Sequence, residues 1–108
     1  MEVRKEVSDG MTETEKRLSS MRNDIESLLR EDFQSIVMGA TWFIHPDGTY
    51  FRVSCMGAEP PWDALVIEYA QNKTDAKQNM TEDGDLFYPS EFNSIKQMYD
   101  KMLTEINN

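Results

Sequence analysis

Apolar residues recur at helical spacing towards both ends of the chain and alternate with polar residues between them. The first helical stretch opens with Thr12 and Glu15, a capping-box pair whose side chains satisfy free N–H groups of the first turn. The apolar positions that follow fall on one helical face: Leu18, Met21, Ile25, Leu28 and Leu29. We therefore predict a first helix over residues 12–30.

A second helix is predicted over residues 91–106. Ser90 follows Pro89 and suits the N-cap, and Glu91 places a negative charge in the first turn, where the helix dipole favours it. The apolar stripe of this helix recurs every three or four residues: Ile95, Met98, Tyr99, Met102, Leu103 and Ile106.

The segments between the helices have the pattern of strands. Residues 36–45 and 49–56 flank Pro46-Asp47-Gly48, a composition typical of a hairpin turn. Residues 64–70 (ALVIEYA) form a third, largely apolar strand. A short helix capped by Thr74 is predicted over residues 74–80, and a short edge strand over residues 86–88.

These elements predict an α+β fold of two layers, in which a meander of three or four antiparallel strands is covered on one face by the N- and C-terminal helices. Residues 11–108 are expected to form a single domain. Residues 1–10 are expected to form a loose peripheral arm, because Ser8-Asp9-Gly10 interrupts the only helical spacing in that segment.

The first hairpin admits two registers. A one-residue bulge at the turn would pair His45 with Thr49 and divide the apolar residues of the two strands between the two faces. The other register pairs Trp42 with Val53 and unites them. We favour the second register, because burial usually decides strand register.

The favoured register predicts which side chains are buried and which lie on the open face of the sheet. The buried set comprises Trp42, Ile44, Phe51 and Val53, packed on the helices through Leu18, Ile25, Met98 and Met102. Cys55 is expected to be a small buried core residue. The open face is expected to carry Phe43, His45, Tyr50, Arg52 and Glu68.

The negative charge of the chain is concentrated in its middle. Residues 31–95 carry eleven acids against three bases, which accounts for eight of the nine net negative charges. Such a surface repels phosphate backbones and anionic lipid and attracts basic partners. We therefore expect neither nucleic-acid nor membrane binding. The single cysteine, the lack of a signal peptide and the lack of a long apolar run predict a cytoplasmic protein.

Enzyme motifs are weak in this sequence. His45 and Cys55 are the only residues of their types, but on the predicted hairpin they lie roughly 20 Å apart, too far for a nucleophile and its base. Glu82-Asp83-Gly84-Asp85 is an acidic loop without the spacing of an EF-hand calcium site. The chain has no phosphate-binding glycine loop and no Cys/His metal spacing, so we expect no cofactor.

The composition and organisation, which are typical of small bacterial proteins, favour a non-enzymatic module that binds a basic protein, one form of which is an immunity protein or inhibitor. The partner-binding residues predicted for it are aromatic or charged: Phe43, Tyr50, Arg52, Trp62, Glu82, Asp83 and Asp85. One alternative is an enzyme or small-ligand binder that uses carboxylates with a divalent cation. Another is a structural homo-oligomer, since a homodimer would cover the same aromatic side chains.

Overall fold

A computed structural model describes residues 12–57 and 62–108. The arm predicted at residues 1–10 and the Pro60-Pro61 loop lie outside the described residues. The helices are α1 (Glu13–Asp32), α2 (Lys73–Lys77) and α3 (Ile95–Ile106), with a 3-10 turn at Pro89–Glu91. The strands are β1 (Gln34–Met38), β2 (Ala40–Ile44), β3 (Tyr50–Met56), β4 (Ala64–Ala70) and β5 (Glu82–Phe87).

The strands form an antiparallel meander in the order β1-β2-β3-β4-β5. The α+β class, the meander and the pair of covering helices agree with the prediction, but the sheet has five strands rather than three or four. The predicted strand 36–45 is two strands, because Gly39 (φ 78°) reverses the chain and Met38 pairs with Ala40. The positive φ suits glycine, which has no Cβ to clash.

The helices begin and end close to their predicted positions. The capping box of Thr12 and Glu15 is present at the start of α1. The predicted second helix starts four residues late, because Ser94, not Ser90, accepts the hydrogen bond from the Gln97 N–H group and caps α3. The short helix α2 is likewise capped by Asn72 rather than by Thr74.

Helices α1 and α3 cover one face of the sheet and enclose the main core. The buried side chains of this core come from both helices and from four strands: Leu18, Ile25, Leu29, Phe43, Phe51, Val53, Leu65, Ile67, Phe87, Met98, Tyr99, Met102 and Ile106. Polar contacts join α1 to the residue before β4 and to α3. Arg17 of α1 donates to the buried Asp63 carboxylate at 2.5 Å, and the Tyr99 hydroxyl donates to Asp32 and to the Leu28 carbonyl.

The predicted register of the first hairpin is wrong. The His45 N–H group donates to the Thr49 carbonyl and the Gly48 N–H group to the His45 carbonyl, both at 2.8 Å. The turn, in which Gly48 has a φ of 95°, therefore fixes the bulged register. As a result Phe43 pairs with Phe51, and Trp42 faces away from the helices, on the same side as Tyr50.

The opposite face of the sheet is not open, and this is why the bulged register is stable. Trp42 and Ala70 are buried there beneath Ala76 of α2, with Ile36, Met38 and Tyr50 packed around them. Both faces of the β2–β3 hairpin are thus covered. Its large apolar side chains are therefore shielded from water even though they are divided between the two faces. Phe43, expected on the open face, is fully buried in the main core.

Two further expectations are wrong. Cys55 is exposed, because it lies near the end of β3 beyond the cover of the buried core. Residues 82–85, expected to form a loop, belong to strand β5 and pair with β4. No helix in the described part of the chain combines the length and apolar character needed to cross a membrane.

Replacing Gly48 tests the turn that sets the register. A Cβ at this position would meet no atom within 4 Å, so the cost of Gly48→Ala comes from the positive φ alone. We expect a loss of about 1 kcal/mol in the free energy of unfolding, measured with urea. Gly48→Asn is the matched control and should lose less, because asparagine tolerates positive φ. Equal stability of all three proteins would contradict a register set by this turn.

Candidate binding site at the acidic end of the sheet

Three recesses adjoin at the end of the sheet where the β2–β3 turn, the end of β4 and the start of β5 meet. Their volumes are 390, 780 and 460 Å³. Thr49 and Tyr69 line both the first and the second, and His45 lines both the first and the third. The three recesses therefore indent one shared surface at this end of the sheet.

The walls of these recesses carry carboxylates without basic neighbours. Among the described residues that line them there is no lysine or arginine. The carboxylates are those of Asp32, Asp47, Asp75, Glu82, Asp85 and Glu105. We call this surface the acidic end.

The β2–β3 turn fixes His45 and Asp47. His45 Nδ1 lies 3.1 Å from both the Asp47 N–H nitrogen and Asp47 Oδ1, and Nε2 lies 3.2 Å from Asn107 Oδ1. Asp47 Oδ1 accepts from the Thr49 N–H group at 2.8 Å. The Thr49 N–H group, and after it the Thr49 hydroxyl, hold the pKa of Asp47 below its usual range. This carboxylate therefore stays charged at neutral pH.

Glu105 joins α3 to two strands. Its Oε2 accepts from the Tyr69 hydroxyl at 2.5 Å and its Oε1 from the Asp85 N–H group at 2.9 Å. Burial, and then the hydrogen bond to Glu105, raise the pKa of Tyr69 well above its usual value. Tyr69 thus stays a neutral donor. The close approach of the Glu105 carboxylate to strand β5 depends on Gly84, where a Cβ would lie 2.1 Å from Glu105 Oε2.

The acidic end is built to accept hydrogen bonds and positive charge. The carboxylates of Asp75, Glu82 and Asp85 accept no hydrogen bond from the described part of the chain, and no described cation lies within ion-pair distance of them. Phe51 and Ile106 supply apolar wall in the 390 Å³ recess. A ligand with an apolar stem and a cationic head matches this combination.

Within residues 12–57 and 62–108 no three His, Cys, Asp or Glu side chains converge in a way that would hold a metal ion. Comparison of the chain with known protein families, curated proteins and solved structures gave no match. What this surface does is therefore argued from its own geometry.

On the sheet face opposite α1 and α3, Arg52 is fully engaged within the chain. Its Nε donates to Glu68 at 2.7 Å, its Nη1 donates to Asn79 at 3.0 Å, and its guanidinium lies 4.6 Å from the ring centroid of Trp42. Ser54 also donates to Glu68, at 2.6 Å. Arg52 therefore closes the cover over Trp42 rather than facing a partner.

The structure divides the predicted partner-binding residues among separate places. Glu82 and Asp85 lie at the acidic end, and Asp83 faces Glu68 across β4 and β5. Trp62 is 73% exposed but lies at the far end of β4. Tyr50 is half-buried against Trp42, so neither it nor the buried Phe43 calls for a homodimer to cover it.

Sequence reasoning missed Glu105, Tyr69 and Asp47 as members of one surface. The sequence pattern around each of them indicated a different role. Asp47 was read only as a turn residue, and Tyr69 only as part of an apolar strand. Glu105 lies between the apolar residues Leu103 and Ile106 near the end of α3. A charged residue at that position was the available indication of a polar contact with the sheet.

Acid titration tests the Glu68 network. Burial opposes ionisation of Glu68, but the hydrogen bonds from Ser54 and Arg52 outweigh it and hold its pKa below the usual 4.5. A depressed pKa adds stability above 4.5 that is lost as the pH falls through the folded-state value. Glu68→Gln should therefore be less stable than the parent at pH 7, and the difference should shrink as the pH falls below 4.5, measured by urea unfolding. Glu91→Gln, at an exposed position, should match the parent throughout; the same result for Glu68→Gln would contradict the network.

Gly84→Ala tests the contact of α3 with the strands. The new methyl group would displace Glu105 from Tyr69, so we expect a stability loss of about 1 kcal/mol. Spectrophotometric titration should show the pKa of one tyrosine falling towards 10, its usual value. Glu105→Gln should lower the same pKa without the added methyl. An unchanged tyrosine titration in both variants would show that the Tyr69–Glu105 bond does not form in solution.

Proposed function

We propose that this protein is a non-enzymatic binding module whose acidic end receives a cationic segment of a partner protein. The observation that supports the proposal is the set of six carboxylates on one shared surface with no lysine or arginine among the described residues lining it. A net negative charge could be spread evenly over the whole surface. In this protein six carboxylates lie together in the recesses at one end of the sheet.

Lysine and arginine side chains fit the chemistry of the 390 Å³ recess. The half-buried ring of Tyr69 would cover the aliphatic stem, and the carboxylates of Asp47, Asp85 and Glu105 would receive the charged head. Arginine suits it better than lysine, because its planar guanidinium donates to two carboxylates at once.

The surrounding carboxylates would act mainly by attracting the partner before the two proteins touch. Asp75, Glu82 and Asp85 are partly or fully exposed and make no ion pair within the described residues, so their field extends into solvent. Such a field speeds and orients encounters with a basic surface and is screened within about 8 Å at physiological ionic strength. Charge would thus set the association rate, and the anchored side chain would set the dissociation rate.

One concrete form of this function is an inhibitor or immunity protein that blocks a cationic enzyme by presenting carboxylates where phosphate groups would bind. The carboxylates of the acidic end would take the place of the phosphate groups, and its recesses suit a protruding basic segment. The partner-binding roles of Glu82, Asp83 and Asp85 remain part of this proposal, whereas Phe43, which is buried, does not.

A matched pair of triple variants tests the proposal. Asp75→Asn/Glu82→Gln/Asp85→Asn removes three charges from the acidic end, and Asp24→Asn/Glu31→Gln/Glu91→Gln removes three from exposed positions elsewhere. Both change the net charge equally. We expect the first to slow association with an arginine-rich dodecapeptide about tenfold at low salt and the second to change it much less, in stopped-flow fluorescence.

The parent's association rate should fall as salt rises, and a peptide with glutamine in place of arginine should not bind. Equal effects of the two triple variants would show that binding follows net charge and not the acidic end, which would overturn the proposal.

The three carboxylates that line the 390 Å³ recess, Asp47, Asp85 and Glu105, favour a second candidate, the binding of a free organic cation such as a polyamine. Spermidine would then raise the melting temperature of the parent at micromolar to millimolar concentration, and Glu105→Gln would reduce that rise. A rise that is the same in the Asp24/Glu31/Glu91 and Asp75/Glu82/Asp85 variants would indicate non-specific charge screening instead.

A further inference from the structure

The sheet is split between β2 and β3. The two strands are paired only at Phe43↔Phe51 and Ile44↔Tyr50, although β3 continues to Met56 and pairs with β4 over all seven of its residues. Beyond Phe43 the strands diverge and leave a cleft of 310 Å³. We call it the β2–β3 cleft, and it is lined by Arg22, Glu26, Gly39, Ala40, Thr41, Arg52, Val53 and Ser54.

Backbone groups without a strand partner face this cleft. Successive residues of a strand direct their N–H and C=O groups alternately to the two neighbouring strands. Because His45 and Thr49 bond to each other across β2 and β3, the groups of Thr41, Val53 and Cys55 point into the cleft. An edge of this kind is a template for pairing with another extended chain.

Arg22 lies on the wall of the cleft with unused hydrogen-bonding capacity. Within residues 12–57 and 62–108 its buried Nε has no partner, and its Nη2 reaches only Ser19 Oγ, at 3.4 Å. The other arginines of the described chain, Arg17, Arg30 and Arg52, each form an ion pair with a described carboxylate, and Arg22 does not. Trp42 of β2 holds the other buried side-chain donor that lacks a partner.

The nearby acid Glu26 interacts with Arg22 through its charge but is not within ion-pair distance of it. Glu26 also lines the cleft, but it lies 3.8 Å from Arg30, and no ion pair joins it to Arg22. Burial raises the pKa of Glu26, and the positive charges of Arg22 and then of Arg30 oppose that rise. Arg52, the other cation on the wall, is occupied by Glu68. The cleft thus offers a positively charged donor beside a free strand edge.

We propose that the β2–β3 cleft binds an extended peptide segment of another protein, which pairs with the free edge of β3 and places a carboxylate on Arg22. The free edge of β3 from Val53 to Met56 spans about 14 Å, enough for four residues of the peptide. The complementary charge selects an acidic side chain in that segment, in contrast to the cationic ligand of the acidic end. This inference does not depend on the proposed function.

Amide hydrogen exchange in the free protein tests the open edge. The amides of Val53 and Cys55 should exchange roughly a hundredfold faster than those of Arg52 and Ser54, which bond to β4. Comparable protection of all four amides would show that β2 closes onto β3 in solution and would overturn the proposal.

Binding of labelled heptapeptides tests whether the β2–β3 cleft takes an extended acidic peptide. We would use a library of alternating Thr, Val and Ile residues with Glu, Gln or Lys at the central position, measured by fluorescence polarisation up to millimolar concentration. Glu peptides should bind roughly tenfold or more tightly than their Gln counterparts and should slow exchange at Val53 and Cys55. Absence of saturable binding, or no preference for Glu, would overturn the proposal, as would a second copy of the chain occupying the edge, seen as dimerisation in sedimentation.

Two matched pairs of variants locate the site. Arg22→Gln should abolish the preference for Glu, whereas Arg30→Gln should keep it. Cys55→Pro removes the N–H group that faces the cleft and should weaken binding about tenfold, whereas Cys55→Ala keeps that group and should bind as the parent does. If Cys55→Pro fails to fold, the arginine pair alone decides, and equal binding by Arg22→Gln and Arg30→Gln would overturn the proposal.

Discussion

The register fixed by the Pro46-Asp47-Gly48 turn is the constraint on which the rest of the structure depends. Two hydrogen bonds of 2.8 Å and one glycine of positive φ decide that Phe43, not Trp42, faces the helices. Once Trp42 faces the other way it needs its own cover, which α2, Tyr50 and the guanidinium of Arg52 supply. The sheet is therefore buried on both sides over its centre, which is unusual for an antiparallel sheet with one pair of long helices.

The same turn builds part of the candidate site. His45 and Asp47 take their positions from the hydrogen bonds that close it, and the Thr49 N–H group, which donates to Asp47, lowers the pKa of that carboxyl. The hydrogen bonds of the turn thus decided the register, although the other register would have placed the apolar residues of both strands on one face. This was possible because Trp42, which faces away from the helices, is buried against a second apolar cluster. The turn serves folding and places two of the charged groups of the acidic end.

Much of the fold follows from the sequence, and the exceptions have identifiable causes. The capping box of Thr12 and the strand Ala64–Ala70 were predicted as observed, since each is specified by a short local pattern. Gly39 was overlooked as a reversal because the apolar alternation runs through it unbroken. The burial of Phe43 and the exposure of Cys55 could not be predicted, because each depends on how far the helices and the strand ends extend in three dimensions. The acidic end was foreseen only as a charge excess, since the convergence of Asp47, Glu105 and Asp85 on one recess depends on the contact of α3 with β5.

The opposite environments of the two tryptophans give the molecule a pair of built-in optical reporters. Trp42 is wholly enclosed beneath Arg52, whereas Trp62, near the other end of the sheet, is 73% exposed. An enclosed indole emits at shorter wavelength than one in water, so the intrinsic emission is the sum of a blue and a red component. Loss of the α2 cover would move the blue component alone, and an aqueous quencher would remove the red one first. Local opening of one face of the sheet is therefore distinguishable from unfolding of the whole without attaching any label.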